Sequence, residues 1–364
     1  MRRHRILIAP LDWGLGHATR CIPIIRMLHD RDIEVIIAAD GRPYDLLKKE
    51  FPRLEFLRFP GFTIHYPSAG RMSFSIVKQL PGIMREIKNE YETVNRMIAH
   101  YNIDAVISDS RFGAYSKKVP SIIVIHQLRI LMPQGLRWAE SIVASFVRHK
   151  VNNFSECWIP DRNGIPNCSG KLSHGVSLPH HSQFIGPLSR FEPRASQKKE
   201  FDIIAILSGP EPQRTLFEEI LLEQLKKSPY RAFVVRGIPE RSTRIKLTES
   251  ITAVSSLTSD ELAKAIAISD IVISRPGYST VMDLSRIGSK AIFCPTPQQT
   301  EQEYLAALLR SQNICYSEPQ DSFDLERALA HSKTYTGFAV MSYDPSTVQS
   351  RIEHLQGKIE QRTT

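Results

Sequence analysis

Short apolar runs alternate with amphipathic stretches along nearly the whole chain. Residues 5–9, 33–39, 54–59, 105–107, 121–125 and 156–159 are apolar runs of strand length. Between them, helical spacing predicts helices from the glycine-containing turn at 12–20 through about residue 29, over 43–50, over 74–101 and over 138–151. In the longest of these, Ile76, Leu80, Ile83, Ile87, Tyr91 and Val94 mark the buried stripe, and Pro81-Gly82 predicts a break. Strand and helix in alternation predict parallel sheets with crossover helices.

After residue 200 the pattern starts again. Strands are expected at 201–207, 232–235 and 254–258, with helices running to Lys226 and over 260–267. The most informative stretch is 270–302. Ile271-Val272-Ile273 suits a strand buried on both faces, and Pro276-Gly277 is a turn signal, after which Ser279 and Thr280 can cap a helix. That helix ends near Gly288, and the next strand, 291–294, is broken by Pro295 and Pro297. Residues 324–330 and 346–361 predict two further helices, the last of them polar. Free amides at a helix start favour an anion, so the turn at Gly277 suits a diphosphate.

The fold class is therefore α/β, with two Rossmann-like domains facing each other across a cleft. The expected boundaries are 1–188, a Pro-, Lys- and Arg-rich linker at 189–200, a second domain at 201–335 and a C-terminal helical extension at 336–364. A chain of 364 residues is long enough for two such cores.

Composition changes this picture little. Five scattered cysteines without a Cys-x-x-Cys pair argue against a zinc site or a disulfide framework and fit a reducing cytoplasm. The apolar N-terminus is broken by Pro10 and Asp12, so it reads as a first strand rather than a signal peptide. No apolar run approaches the ~18 residues needed to span a bilayer. The net charge of +9 suits anionic lipid or phosphorylated substrates; no nucleic-acid motif accompanies it, so nucleic acid is not an expected partner. The basic face of the 74–101 helix, with Lys78, Arg85, Lys88 and Arg96, suits an anionic membrane, but an ordinary helix packed against the sheet is the preferred reading.

Polar residues just past the carboxyl ends of parallel strands are where open sheets bind ligands. Here these are Gly14, Gly16 and His17, then Asp109 and Arg111, then His126 and Gln127, and in the second half Ser208, Gly209 and Arg275. Each also has a plainer structural reading: His17 and Asp109 as helix caps, Arg275 in an ion pair, Asp283 on the surface beside Arg286, and His126 as a hydrogen-bonded residue.

The pattern from Arg275 through Asp283, then Gly288, Pro295 and Glu301-Gln302-Glu303-Tyr304, resembles the nucleotide-sugar site of the family-28, MurG-like glycosyltransferases of the GT-B fold. Gly14-Leu15-Gly16-His17 resembles the glycine-rich acceptor-side loop of that family, and His126-Gln127 a His-containing segment there. The resemblance implies a UDP-sugar donor and a hydroxyl acceptor, a cell-envelope glycan or lipid-linked molecule, at the inner face of the cytoplasmic membrane. It implies Gly277, Ser279 and Thr280 at the diphosphate with Arg275 near, Ser208-Gly209 as a second phosphate-facing loop, and Leu257 beside the base. Asp283, in place of the family's Glu, would meet the ribose, and Gln302 with Glu303 the sugar.

For the chemistry, His17 is the expected base and Asp109 its orienting carboxylate, with Arg111 and His126 on the acceptor side along with residues 61–79. No Asp-x-Asp pair is present, so neither metal nor cofactor is expected. Three alternatives remain. Gly14-x-Gly16-x-x-Thr19 followed by Asp40 nearly satisfies a dinucleotide fingerprint, which would mean an NAD(P)-dependent oxidoreductase. A UDP-sugar epimerase of the same fold and a non-catalytic nucleotide-sugar-binding protein are the others.

Overall fold

The computed structural model of the protein describes residues 2–61, 72–194, 197–341 and 344–363. The chain divides into two compact units, Met1–Trp13 with His17–Leu188 and Tyr343–Thr364, and Gly14–Gly16 with Ser189–Ser342.

The first unit contains β1 (Arg5–Pro10), α1 (Leu15–His29), β2 (Glu34–Ala39), α2 (Gly41–Glu50), β3 (Glu55–Arg58), α3 (Met72–Tyr101), β4 (Ala105–Asp109), β5 (Ser121–Val124), α4 (Glu140–Val151), β6 (Glu156–Ile159) and β7 (Ser182–Phe184). Its seven strands lie in the order β3-β2-β1-β4-β5-β6-β7, and every pairing is parallel. Ile6, Leu7 and Ile8 are all fully buried, as are Val106 and Ile107, because helices cover both faces of a parallel sheet. That is why these strands are continuous apolar runs rather than alternating ones.

The second unit holds β8 (Phe201–Ile206), α5 (Gln213–Lys226), β9 (Ala232–Val235), β10 (Arg244–Lys246), β11 (Ile251–Val254), α6 (Ser259–Ala267), β12 (Ser269–Ser274), α7 (Tyr278–Ile287), β13 (Ala291–Phe293), α8 (Thr300–Ser311), β14 (Tyr316–Ser317) and α9 (Leu325–Ser332). The order β10-β11-β9-β8-β12-β13-β14 repeats the first sheet's layout, with β8 in the place of β1. Only β10 is antiparallel to its neighbour. It is an exposed edge strand flanked by Arg244 and Lys246, charges that discourage further pairing. α7 ends where the sequence predicts, on Gly288 in the left-handed conformation (φ 70°), whose N–H donates to Leu284 O.

Three expectations change. α3 runs without interruption through Pro81-Gly82, since a proline removes one helical hydrogen bond and thirty residues supply the rest. Residues 189–200 count with the second unit rather than standing apart as a linker. The C-terminal segment is not a separate extension. α10 (Ser346–Thr363) buries Val348, Ile352, Leu355 and Ile359, one face at helical spacing, and clusters with the first unit. Lys358 Nζ donates to Glu156 Oε1 at 2.7 Å, which ties α10 to β6.

Candidate functional site

In the first unit the candidate residues gather past the carboxyl ends of β1, β4 and β5. His17 lies in the first turn of α1, directly after Gly14–Gly16, which count with the second unit. Nδ1 of His17 stands 2.6 Å from Oδ1 of Asp109, the last residue of β4. Asp109 is fully buried, and the imidazole is about one-fifth exposed (21%). Burial pushes the Asp109 carboxyl up, yet the adjoining Arg20 guanidinium and His17 pull it further the other way, so it stays below the ordinary carboxylate range. An ionised carboxylate only accepts, so Nδ1 of His17 carries the proton and donates. The lone pair is then on Nε2, as a base requires.

The residue that completes this cluster is Arg20, one helical turn beyond His17. It is 1% exposed. Its Nε donates to Asp109 Oδ2, its Nη2 to Asp109 Oδ1 at 2.5 Å and to Ser110 Oγ at 3.0 Å, and its Nη1 to His126 Nδ1 at 2.6 Å. His126 is itself buried. Neither Arg20 nor Ser110 stands out in the sequence, where the only signal is the spacing of Arg20 three residues after His17 on one helix face.

Arg111 is a correction. It is not a surface lining an acceptor but an interior tie: Nε donates to Glu90 Oε1 at 2.8 Å, Nη1 to Phe59 O at 2.7 Å and Nη2 to Pro60 O at 2.9 Å. All three nitrogens are engaged, and the residue is 1% exposed. Phe112 packs on the core around β5, β6 and α4. Of the expected acceptor stretch 61–79, residues 62–71 lie outside the described residues.

The second unit's candidates sit past the ends of β8, β11, β12 and β13. Gly277 caps α7, and no side chain caps that helix start; Ser279 and Thr280 occupy its first turn. The other nearby helix start, that of α5, is already occupied. Glu211 accepts from Thr215 N at 3.2 Å, from Thr215 Oγ1 at 2.8 Å and from Arg214 Nε at 2.6 Å, so a carboxylate of the protein stands where an anion would. Ser208 and Gly209 precede this turn, Gly209 with φ of 111°, a conformation only glycine takes readily. Leu257, half-buried, directly precedes the capping box of α6, in which Thr258 N donates to Glu261 Oε2 at 2.9 Å.

Arg275 is the second correction. It is 1% exposed and turned into the unit: Nη1 donates to the carbonyls of Cys294 at 2.9 Å and Pro295 at 3.0 Å, and Nη2 to Gln213 O at 3.0 Å and to the Gln320 side chain. Its guanidinium lies 4.5 Å over the Phe217 ring. Burial brings it down to about 10, and its two terminal nitrogens tie loops together.

Asp283 is likewise buried rather than solvated. Oδ1 accepts from Ser189 Oγ at 2.8 Å and Arg190 N at 3.2 Å, and Oδ2 from Arg190 Nε at 3.1 Å. Burial raises its carboxyl despite Arg190. In this structure both oxygens are committed, and a ribose would have to replace one of these partners. Gln302 and Glu303, in the first turn of α8, also brace the loop before them: Gln302 Oε1 accepts from Thr296 N at 2.8 Å, and Glu303 Oε1 from Gln298 N at 2.9 Å.

Among the described residues, four buried polar atoms at or past the ends of β12 and β13 have no hydrogen-bond partner: Ser274 Oγ, Arg275 Nε, Thr296 Oγ1 and Gln299 Oε1. Thr296 Oγ1 would lie 3.7 Å from a Cβ placed on Gly209, so the bare face of Gly209 looks onto it. An unpaired buried hydroxyl is costly unless a ligand completes it. Sequence reasoning missed Ser274, Thr296 and Gln299, although each lies at or shortly after a strand end.

Residues 210–334 match the glycosyltransferase family 28 C-terminal domain. Over most of its length the chain is similar to two enzymes named UDP-N-acetylglucosamine–N-acetylmuramyl-(pentapeptide) pyrophosphoryl-undecaprenol N-acetylglucosamine transferase. The one from Histophilus somni (strain 129Pt) is 23% identical, covering 90% of this chain and 88% of the relative. That from Methylobacterium sp. (strain 4-46) is 25% identical, covering 91% and 88%. Among solved structures, Acinetobacter baumannii MurG superposes with a TM-score of 0.53 at 16% identity, covering 98% of this chain and all of the other. The doubled Rossmann-like layout and these likenesses agree on the GT-B fold, and residues 210–334 carry the glycosyltransferase family 28 C-terminal domain.

Proposed function

We propose that the protein transfers a hexosyl or N-acetylhexosaminyl group from a UDP-sugar to a hydroxyl of a cell-envelope glycan or lipid-linked acceptor, with inversion and without a metal. The observation that carries this reading is the bond between His17 Nδ1 and Asp109 Oδ1, which leaves Nε2 to take a proton. The acceptor oxygen attacks the anomeric carbon, and its proton passes to His17 Nε2. The bond from that carbon to the diphosphate oxygen breaks, and its electron pair leaves with UDP. A single displacement on the face opposite the leaving group inverts the centre. In the second unit, the uncapped start of α7 and the unpartnered hydroxyls of Ser274 and Thr296 offer donors to a diphosphate. The relatives' names supply UDP-N-acetylglucosamine as a donor and a pyrophosphoryl-undecaprenol acceptor.

Peripheral contact with the inner face of the cytoplasmic membrane belongs to the same proposal. Among the described residues no helix is long and apolar enough to cross a membrane. Trp138, in the 3-10 turn before α4, and Ile142, in its first turn, are 70% and 62% exposed, and Arg137 and Arg148 flank them along the chain. An aromatic anchor among cations suits an anionic lipid surface. These residues favour the segment around α4 as the contact, whereas the sequence offered α3.

Calorimetric titration with UDP, UDP-sugars and NAD(H) tests the donor. Heat is expected with UDP and with at least one UDP-sugar. Binding of NAD(H) with no response to any uridine nucleotide overturns the proposal.

A further inference from the structure

We infer that Arg20 is the positioning residue of this reaction, holding the Asp109 carboxylate and the His126 ring with one guanidinium and so fixing the proton positions of both His17 and His126. The inference rests on the reading of His17 as the base.

The geometry is specific to a forked, permanently charged donor. Arg20 Nε binds Asp109 Oδ2, while Nη2 and His17 Nδ1 both donate to Oδ1. The carboxylate therefore cannot turn, and the one oxygen offered to His17 is fixed in place. Nη2 also lies 2.8 Å from His17 Nδ1, and since both are donors, neither can bond to the other. Arginine has no acceptor, so the contact of Nη1 with His126 Nδ1 requires a lone pair on that nitrogen and puts the proton of the neutral ring on Nε2.

Charge follows from the same contacts. A carboxylate alone beside an imidazole favours the imidazolium; one already paired with a guanidinium favours it less. With its Nδ1 proton held on Asp109, His17 presents Nε2 as the proton acceptor. The groups facing this cluster are Asp109 from β4, Arg20 from α1, His126 from the segment after β5, and the neighbouring Cys21 thiol, which burial pushes well up and leaves uncharged.

The first measurement needs no variant. Long-range proton–nitrogen spectra of 15N-histidine-labelled protein should show His17 protonated on Nδ1 and His126 protonated on Nε2. A wild-type His126 protonated on Nδ1 overturns the inference. The second compares Arg20→Met and Arg20→Lys, with UDP release from UDP-N-acetylglucosamine, water being the acceptor, followed across pH. Arg20→Met is expected to lower kcat about tenfold or more, to change the donor KM less than about twofold, and to move the acid limb of the profile to higher pH. Arg20→Lys should recover part of the rate, since charge returns without the fork, while the His126 signal stays altered. An Arg20→Met protein that keeps the wild-type acid limb and both wild-type ring signals overturns the inference. A His17→Ala protein that releases UDP at the parental rate overturns the proposed function instead, and leaves the Arg20 contacts standing.

Discussion

Ninety-two positions separate His17 from Asp109 along the chain, yet Nδ1 of the first lies 2.6 Å from Oδ1 of the second. The parallel pairing of β1 with β4 brings this about. It sets Pro10 opposite Asp109, so the turn after β1 and the end of β4 emerge side by side.

Replacing His17 by Ala should lower kcat by about a hundredfold to ten-thousandfold, the range for losing a general base, with the donor KM nearly unchanged. Asp109→Asn should slow turnover and also destabilise the fold, because it leaves Arg20 buried without its counter-charge, a loss of about 3–5 kcal/mol. Steady-state kinetics with thermal melting separates the two effects.

Ser274→Ala and Thr296→Val should leave the melting temperature unchanged or raised. These hydroxyls have no partner in the free protein, so removing them gives up no bond. The same changes should weaken UDP binding by about tenfold if the hydroxyls meet the diphosphate, each lost hydrogen bond to a charged group being worth about 1.5–3 kcal/mol. Unchanged affinity in both variants would remove them from the donor site.

Arg275→Met should do the reverse. Its bonds run to the Cys294, Pro295 and Gln213 carbonyls, so its loss should lower the melting temperature by several degrees, consistent with about 2–4 kcal/mol. UDP affinity measured well below that temperature should change little. A large loss of affinity in a fully folded variant would restore Arg275 as a phosphate ligand.

Asp283 gives a pH test with a definite sign. Burial raises its carboxyl, so the folded protein holds that proton more tightly than the unfolded chain does. The contribution to stability is full below the unfolded value near 3.8 and is lost as pH rises through the folded one. Relative to Asp283→Asn, the wild-type protein should therefore lose stability on going from acid toward neutral pH, as read by chemical denaturation at a series of pH values.

Membrane contact predicts that Trp138→Ala sediments less with anionic vesicles than the parent and that salt weakens the parent's binding. Equal sedimentation with anionic and neutral vesicles would remove the lipid surface. Full turnover in chelator-treated buffer is the matching test for metal independence.

Much of the fold was legible because parallel strands buried on both faces leave uninterrupted apolar runs, as at Ile6-Leu7-Ile8 and Ile271-Val272-Ile273. The short strands β7, β10 and β14 left no such mark: β7 and β10 bury no residue, and β14 is only two residues long. The helix α8 was not expected: its start follows Pro295 and Pro297 and has no side-chain cap, while its Gln302 and Glu303 side chains reach back to the loop amides of Thr296 and Gln298.

Sequence alone determined which residues stand past the strand ends, since that follows from local periodicity and turn chemistry. It named His17, Asp109 and His126 in the first unit, and Gly277, Ser279 and Thr280 in the second. Only the tertiary structure decided what each of them does there. Arg20, Arg111 and Arg275 are all arginines near strand ends or helix starts, and all are 1% exposed, yet Arg20 binds the candidate base's carboxylate while the other two tie loops to the interior. The difference lies in which acceptors surround a long side chain. Those acceptors are carbonyls and carboxylates brought in from distant elements by sheet pairing, and no local pattern encodes them.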